Sequence, residues 1–267
     1  MKSGLLSCAM TAAELGGDVV RRYFRRLSGG QVDEKAANDW VTAADRESEE
    51  AIFQFLARET PGVGFLAEER GGTVDGGLQW VVDPLDGTLN FVRGFPHFAV
   101  SVALVNGGSV EVGVIFDPVR DEMYTAQRGR GAACNGDPLR VSGREALAGA
   151  FVTTGFPFRI HRHLDAFLAV FREVFPVAGG LRRPGAAALD LAHVGAGIFD
   201  AFFEFGLAAW DVAAGALIVR EAGGVVSNLD GGEDVLARGN IVAATPSVHR
   251  QLLSLIQRHC CEATLAP

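Results

Sequence analysis

Hydrophobic positions follow two different periods along the chain. From about Leu5 to Leu27 they recur at helical spacing, and the arginines and glycines at the end of this segment indicate a helix stop. A second helix is predicted to open within residues 35–45 and to run to about Ala57. Short apolar runs then predict strands at Gly64–Ala67, Gln79–Val82, Phe98–Val105, Val110–Phe116, Glu122–Ala126 and Leu139–Val141. The Asn-Gly-Gly sequence at 106–108 is a strong hairpin signal.

The second half of the chain alternates strands with helices. The predicted strands are Ala150–Thr153, Ile198–Phe205 and Ile241–Ala244. The predicted helices are His161–Phe175, Gly185–Val194, Asp211–Ala222 and Ser247–His259. Such alternation is typical of α/β proteins in which sheets and helices form layers. We therefore predict an α/β fold in one compact unit, residues 1–267, with sub-layers at 1–145 and 146–267.

Composition favours a soluble globular protein. The 267 residues are 48% hydrophobic and 21% charged, which is ordinary for this class. A net charge of -8 argues against direct nucleic-acid binding, which normally needs a basic face. No apolar run approaches the roughly 20 residues of a membrane span, and Glu14 and Asp18 interrupt the N-terminal segment too early for a signal peptide. The four cysteines show neither zinc spacing nor a disulfide framework, so we expect a cytoplasmic protein.

The most informative stretch is Val81-Val82-Asp83-Pro84-Leu85-Asp86-Gly87-Thr88-Leu89-Asn90-Phe91. Asp83 and Asp86 follow an apolar run, which places two carboxylates at the end of a buried strand, and a short helix is predicted after Gly87. Carboxylate oxygens suit a hard divalent cation such as Mg²⁺, and N–H groups at a helix start suit a phosphate. The stretch therefore favours a metal-dependent phosphatase. Asp-Pro and Asp-Gly are also common turn formers, so taken alone it is equally compatible with a tight turn.

Other acidic residues have structural explanations when each is taken alone. Thr42 and Asp45 resemble a helix-capping pair. Asp211 is well explained as the N-cap of the helix that follows it. Glu68 follows a short strand and is an ordinary surface residue unless the fold brings it to Asp83.

Two further charged residues, Lys35 and Glu204, differ in their sequence surroundings. Lys35, before a loop, is ordinarily just solvent-exposed. Glu204 stands in the apolar run Phe202-Phe203-Glu204-Phe205, where an unpaired glutamate is costly to bury. We therefore expect Glu204 to belong to a site.

Taken together, these residues occur in an order and spacing that resembles a known family. The chain is similar, nearly from end to end, to the inositol monophosphatase family, within the lithium-sensitive, Mg²⁺-dependent phosphatase superfamily. The residues that carry the resemblance are Lys35, Asp45, Glu68, Asp83-Pro84-Leu85-Asp86-Gly87-Thr88 and Trp210-Asp211. Bacterial members look closest, through residues 155–159 and 203–207. The resemblance implies a layered α/β/α/β/α sandwich of the inositol monophosphatase and fructose-1,6-bisphosphatase type, and a homodimer.

The resemblance also implies a role for each position. Two or three Mg²⁺ ions are expected, with ligands from Glu68, Asp83, the Leu85 carbonyl, Asp86 and Asp211. Thr88, oriented by Asp45 and helped by Glu68, is expected to position the attacking water. The residues implied for substrate binding are Lys35, Asp86, Gly87, Thr88, Ala187 and Glu204. Among these, Glu204 and the backbone around Ala187 are expected to bind the hydroxyls of inositol.

The implied activity is Mg²⁺-dependent hydrolysis of myo-inositol monophosphate, with inhibition by lithium. Histidinol phosphate, fructose 1,6-bisphosphate and 3′-phosphoadenosine 5′-phosphate stay open as substrates of the same chemistry. Binding of a bisphosphate or nucleotide would require extra cations or an aromatic surface near the pocket. Arg182-Arg183 is the obvious candidate for such cations. Those arginines are also compatible with a subunit contact.

A function from another class stays open as well. The bacterial members that the chain resembles include a partner of the transcription machinery. The alternative is therefore a binding protein that contacts transcription or ribosome-maturation factors, with incidental phosphatase activity.

Overall fold

The structure is a computed structural model, and it describes residues 2–28, 30–36, 39–72, 76–158 and 160–265, apart from the side chains of residues 2, 3, 35, 36 and 39. Within these ranges, no helix combines the length and the apolar character that crossing a membrane requires.

The first half of the chain forms a seven-stranded sheet and a small hairpin. The hairpin consists of β1 (Val32–Ala36) and β2 (Asp39–Thr42). The sheet has the spatial order β3 to β9, made of β3 (Gly64–Ala67), β4 (Leu78–Asp86), β5 (Ala99–Asn106), β6 (Ser109–Asp117), β7 (Glu122–Gln127), β8 (Ala132–Cys134) and β9 (Asp137–Pro138). The helices are α1 (Lys2–Tyr23), α2 (Ala43–Glu59) and the short α3 (Thr88–Val92). Strand β3 is parallel to β4, and the remaining neighbours are antiparallel.

The second half forms a five-stranded sheet with the spatial order β11-β10-β12-β14-β13. Its strands are β10 (Phe151–Thr154), β11 (Gly180–Arg182), β12 (Ala201–Glu204), β13 (Val225–Ser227) and β14 (Ile241–Ala244). A 3₁₀ turn at His161–His163 leads into α4 (Leu164–Val174), and the other helices are α5 (Ala187–Gly195), α6 (Ala209–Glu221) and α7 (Pro246–Ile256).

The elements stack in five layers. Helices α1 and α2 cover one face of the seven-stranded sheet, and α5 and α6 lie between its other face and the five-stranded sheet. Helices α4 and α7 cover the outer face of the second sheet. Each sheet is therefore buried on both faces, which explains why its strands read as nearly continuous apolar runs. The predicted α/β/α/β/α sandwich is confirmed.

Most of the predicted elements are present, and the hairpin of β5 and β6 is confirmed with its turn at residues 107–108. The second helix, predicted to open within residues 35–45, begins at Ala43, because residues 32–36 and 39–42 form the strands β1 and β2 instead. One predicted strand is wrong. Leu139–Val141 is not a strand, since the Val141 N–H donates to the Ala222 carbonyl instead of joining a sheet. The boundary near residue 145 stays a prediction.

Candidate active site

The candidate site begins where β4 ends. Asp83 pairs with Ser101 of β5 and Asp86 with Ala99, and the register shifts between the two aspartates. Such a bulge re-aims side chains at the end of a strand. Asp83 also accepts a 3.0 Å hydrogen bond from the Leu85 N–H, which fixes its carboxylate within the turn. Both aspartates are buried, and both line the same cavity of about 210 Å³.

Gly87 connects this strand to α3. Its φ of 89° lies in the left-handed region, which glycine adopts without steric cost. A Cβ at this position would lie 3.0 Å from the His97 carbonyl oxygen and 3.2 Å from Ala186 Cβ, so the site has no space for a side chain. Helix α3 then starts at Thr88, as the Gly-Thr sequence predicts, and both residues line the cavity.

Helix α6 brings Asp211 to the β4 aspartates from the other half of the chain. Asp211 is not the N-cap, as the sequence suggests, because Ala208 holds that position and Asp211 is the third residue of the helix. Its Oδ2 accepts a 2.7 Å hydrogen bond from the Ala208 N–H. One oxygen each of Asp83, Asp86 and Asp211 can be chosen so that all three lie within 4.8 Å of one another.

Helix α5 contributes its N-terminus. The Ala188 N–H donates to Asp86 Oδ2 at 2.8 Å. The start of α5 therefore holds the Asp86 carboxylate from the side of the second sheet, and the positive end of the helix favours its charge. Ala187, the predicted backbone contact of the substrate, opens the same helix and lines the cavity.

The electrostatics of this cluster favour the binding of a cation. Burial raises the pKa of Asp83 well above its usual range, and the charges of Glu68, Asp86 and Asp211 raise it further. Burial, followed by the charge of Asp211, raises the pKa of Asp86 to about 8. Crowded, desolvated carboxylates of this kind are stabilised by a divalent cation, and an all-oxygen set suits a hard one. The described residues therefore fit a divalent metal ion.

Glu68 completes the acidic lining. It follows β3, which is parallel to β4, so the two strands end at the same edge of the sheet. The Glu68 N–H donates to the Val82 carbonyl at 3.3 Å, and the residue lines the cavity beside Asp83. The fold thus brings Glu68 to the aspartates, as predicted for a ligand of the same ions.

Thr42, Asp45 and Thr88 form a hydrogen-bonded chain beside the cluster. The predicted capping box of α2 is confirmed, with the Thr42 N–H and hydroxyl donating to Asp45 Oδ2 at 2.8 and 2.6 Å. The Thr88 hydroxyl donates to Asp45 Oδ1 at 3.0 Å and has the Leu85 carbonyl oxygen at the same distance. Burial raises the pKa of Asp45 to about 6, against the lowering effect of these hydrogen bonds. Asp45 therefore both completes the capping box of α2, whose N-cap is Thr42, and accepts the hydrogen bond of Thr88.

Glu204 closes the other wall of the cavity at the end of β12. Its carboxyl group lies so close to Gly155 that a Cβ there would be 1.9 Å from Cδ and 2.0 Å from each oxygen. Burial and the charges of Asp190 and Asp211 raise the pKa of Glu204 well above its usual range, while the charge of Arg183 acts in the opposite direction. The prediction that Glu204 faces a site is supported by its place in the cavity lining.

The structure does not test every predicted position, and it adds others. The backbone of Lys35 lies in β1, but its side chain lies outside the described part of the chain. Phe156, Phe158 and Arg183 also line the cavity, and the pattern of hydrophobic residues gave no role to the two phenylalanines. For Arg183 the sequence did give a signal. The pair Arg182-Arg183 was compatible with a cation near the substrate pocket and, equally, with a subunit contact.

These features define a class: an α/β protein that gathers carboxylates to hold divalent cations beside helix starts, as enzymes that hydrolyse phosphate esters do. A model of the inositol monophosphatase family matches residues 1–262. The chain therefore belongs to the inositol monophosphatase family.

Similar proteins carry two kinds of name. The chain is 48% identical over 262 residues to Nus factor SuhB of Pseudomonas aeruginosa, covering 96% of each sequence. It is 46% identical over 259 residues to the inositol-1-monophosphatase of Mesorhizobium japonicum, covering 96% of this chain and 97% of that protein. Its structure is similar to the extragenic suppressor protein suhB of Bartonella henselae, with a TM-score of 0.91, 39% identity, and 96% of this chain and 100% of that chain covered. Family membership supports a phosphatase and a divalent metal.

Proposed function

We propose that this chain is a Mg²⁺-dependent phosphomonoesterase that hydrolyses myo-inositol monophosphate to inositol and phosphate. The observation that carries the proposal is the cluster of Asp83, Asp86 and Asp211, in which one carboxylate oxygen of each residue lies within 4.8 Å of those of the other two. Glu68 and the Leu85 carbonyl complete the proposed ligand set. Two or three ions held there would activate the attacking water and neutralise charge on the phosphate and the leaving alkoxide.

Other residues of the chain would position the attacking water, the phosphate and the inositol group. The Thr88 hydroxyl donates a hydrogen bond to Asp45, so its oxygen lone pairs are oriented to accept a hydrogen bond from the attacking water. The phosphate would lie at the start of α3, against the N–H groups of Gly87 and Thr88, with Lys35 as a further positive charge. On the leaving-group side, Glu204 and the backbone at Ala187 would bind the hydroxyls of inositol. The direct test is phosphate release from inositol 1-phosphate, which we expect with Mg²⁺ and not without it.

The wall at Glu204 can be tested through Gly155. An alanine at 155 must displace the Glu204 carboxyl group, since its Cβ would overlap that group. We expect Gly155→Ala to lower kcat/KM for inositol 1-phosphate about 100-fold, the typical cost of misplacing a positioning group by about 1 Å. Gly143→Ala is the matched control, because a Cβ there meets no atom within 4 Å. Equal kcat/KM values for the two variants would remove Glu204 from the proposed pocket.

A second candidate function rests on the relatives that are named Nus factor SuhB, at 42–48% identity. We propose that this chain also contacts the transcription machinery. If so, RNA polymerase should co-purify with the tagged protein, and the Asp86→Asn variant, which lacks a proposed metal ligand, should capture as much as the wild type. Loss of capture in that variant would tie the contact to the loaded site, and no capture by either protein would count against this function.

A further inference from the structure

A buried acidic residue outside the candidate active site is bonded to one wall of its cavity. Residues 204–207 line the cavity and are called the Glu204 wall below. Glu262 is buried and has no part in the proposed mechanism. Its Oε2 accepts a 2.9 Å hydrogen bond from Asn240 Nδ2, and Asn240 Oδ1 accepts one of 3.0 Å from the Gly206 N–H. Because neither Asn240 nor Glu262 is among the described residues that line the cavity, their link to it is the Gly206 backbone.

These hydrogen bonds begin where the sheet ends. Strands β12 and β14 pair antiparallel, and the last pair in their register is Glu204 with Ile241. Beyond that pair, the Leu207 N–H donates to the Gly239 carbonyl at 2.7 Å, and the Asn240 side chain makes the second connection. The backbone that carries Glu204 into the cavity is therefore held by a side chain at the point where the ladder stops.

The segment 260–265 approaches the Glu204 wall at a second point. The Leu265 carbonyl can only accept, and His163 Nε2 lies 3.0 Å from it, so this nitrogen is the donor. On the other side of the ring, a Cβ on Gly206 would lie 3.7 Å from His163 Nδ1 and 2.6 Å from Ile160 Cδ1. The wall is thus closely packed against the residues that support it.

The direction of each hydrogen bond in the network is fixed by its donors. The Gly206 N–H needs an acceptor, so it takes the Asn240 oxygen, and the Asn240 NH2 group then faces Glu262. The other oxygen of Glu262, Oε1, accepts a 3.0 Å hydrogen bond from the Leu229 N–H. Both oxygens of Glu262 therefore act as acceptors, which is the pattern of a carboxylate, and hydrogen bonds to a charged acceptor are roughly twice as strong as neutral ones.

We propose that Glu262 and Asn240 are positioning residues that hold the Glu204 wall where the substrate's hydroxyl-bearing alcohol binds. This inference rests on the proposed function, in which Glu204 binds the hydroxyls of inositol. A displacement of about 1 Å is enough to lose the benefit of an oriented group. Loosening the network should therefore weaken the selection of substrates by Glu204 and leave the phosphate chemistry at the metal site largely intact.

The two side chains can exchange roles, which provides a rescue variant. In Glu262→Gln, the new NH2 group faces either the Asn240 NH2 group or the Leu229 N–H, so two donors meet. In Asn240→Asp, two carboxyl groups meet. In the double variant Asn240→Asp/Glu262→Gln, the new amide donates to the new carboxylate, which still accepts from Gly206. All three hydrogen bonds and the net charge are then preserved.

Asp200 offers a matched control at the opposite end of β12. It is buried, it directly precedes the strand, and it accepts hydrogen bonds from the Ser142 hydroxyl and, at 2.7 Å, from the Phe151 N–H. Asp200→Asn therefore also replaces a buried carboxylate by an amide. We expect it to lower the melting temperature without affecting the Glu204 wall.

Two measurements test the positioning role. The first is the ratio of kcat/KM for inositol 1-phosphate to kcat/KM for p-nitrophenyl phosphate, whose leaving group carries no further hydroxyl, at saturating Mg²⁺. Each single variant of the network should lower this ratio about 10-fold, the value of one well-placed hydrogen bond. The double variant should return it to within about two-fold of the wild type, and Asp200→Asn should keep it. The second is hydrogen–deuterium exchange of residues 204–208 without substrate, which should be faster in the single variants and normal in the double variant.

Other results would overturn the positioning role. A wild-type ratio in Glu262→Gln excludes it, and so does a double variant that loses as much as the single ones or does not fold. Equal losses on both substrates, or the same change of ratio in Asp200→Asn, would show a general loss of structure instead. Failure of the proposed function shows separately, as absent phosphate release from inositol 1-phosphate by the wild type. In that case the exchange rates of residues 204–208 still decide whether Glu262 holds the Glu204 wall.

Discussion

Asp86→Asn is expected to abolish turnover while leaving the protein folded. Asp86 is buried between the Ala188 N–H and the other carboxylates, and an amide there keeps the shape but loses the charge that a divalent cation needs. We expect phosphate release to fall about 1,000-fold or more, because metal ions supply several kcal/mol of charge stabilisation in such reactions. Asp83→Asn should behave in the same way. Near-normal turnover in either variant, measured at saturating Mg²⁺, would contradict the assignment of these residues as ligands.

The same substitution is expected to stabilise the metal-free protein. The pKa of Asp86 is about 8 in the folded chain and about 4 in an unfolded one. The folded state therefore holds the proton more tightly, and the contribution of this group to stability is fully present below about pH 4 and is lost as pH rises to about 8. Without metal, the wild type should melt at a lower temperature at pH 8 than at pH 5. In the Asp86→Asn variant the melting temperature should depend less steeply on pH. Identical slopes in chelator-treated wild type and variant would contradict the raised pKa.

Thr88→Val is the second substitution with a large expected effect. Valine keeps the shape of threonine but removes the hydroxyl that donates to Asp45 Oδ1. If Thr88 positions the attacking water, kcat should fall about 100-fold, within the usual contribution of general acid–base groups. Thr88→Ser restores a hydroxyl and should recover most of the loss.

Asp45 should appear in the pH profile of the same reaction. The pKa of Asp45 is about 6, and the ionised carboxylate accepts the Thr88 hydrogen bond more strongly than the protonated group does. Activity should therefore be present above about pH 6 and fall below it. This acidic limb of the pH–activity profile should move to lower pH when Mg²⁺ adds positive charge nearby. Asp45→Asn should remove this limb together with most of the activity. A Thr88→Val variant with wild-type kcat, or an unchanged limb in Asp45→Asn, would exclude the pair from catalysis.

The sequence predicts local structure well where one pattern dominates. The β5–β6 hairpin follows from two apolar runs and an Asn-Gly-Gly turn, and the capping box of α2 from the spacing of Thr42 and Asp45. The β1–β2 hairpin was missed, since its strands are short and polar and carry no apolar alternation. The strand predicted at Leu139–Val141 is wrong although the segment contains apolar residues, because the Val141 N–H donates to the Ala222 carbonyl at the end of α6 and not to a strand.

The candidate site depends on contacts that spacing cannot predict. Asp211 reaches Asp83 because α6 packs between the two sheets, and only resemblance to a family linked the two residues beforehand. The placement of Arg183 over Phe156 and Phe158 depends on the turn at Gly185 and was beyond the sequence for the same reason. The resemblance to a family therefore supplied the proposed ligands, whereas the tertiary fold shows how Asp83, Asp86 and Asp211 come together.

The first measurement to make is phosphate release, with Mg²⁺ present, from inositol 1-phosphate, histidinol phosphate, fructose 1,6-bisphosphate and 3′-phosphoadenosine 5′-phosphate. The Asp86→Asn protein serves as the blank. We expect release by the wild type alone, with inositol 1-phosphate the preferred monophosphate, as a pocket wall built on Glu204 predicts. Preference for histidinol phosphate would keep the metal site and overturn the assignment of Glu204. No release from any of the four would contradict the proposed phosphatase and favour the contact with the transcription machinery as the function of this chain.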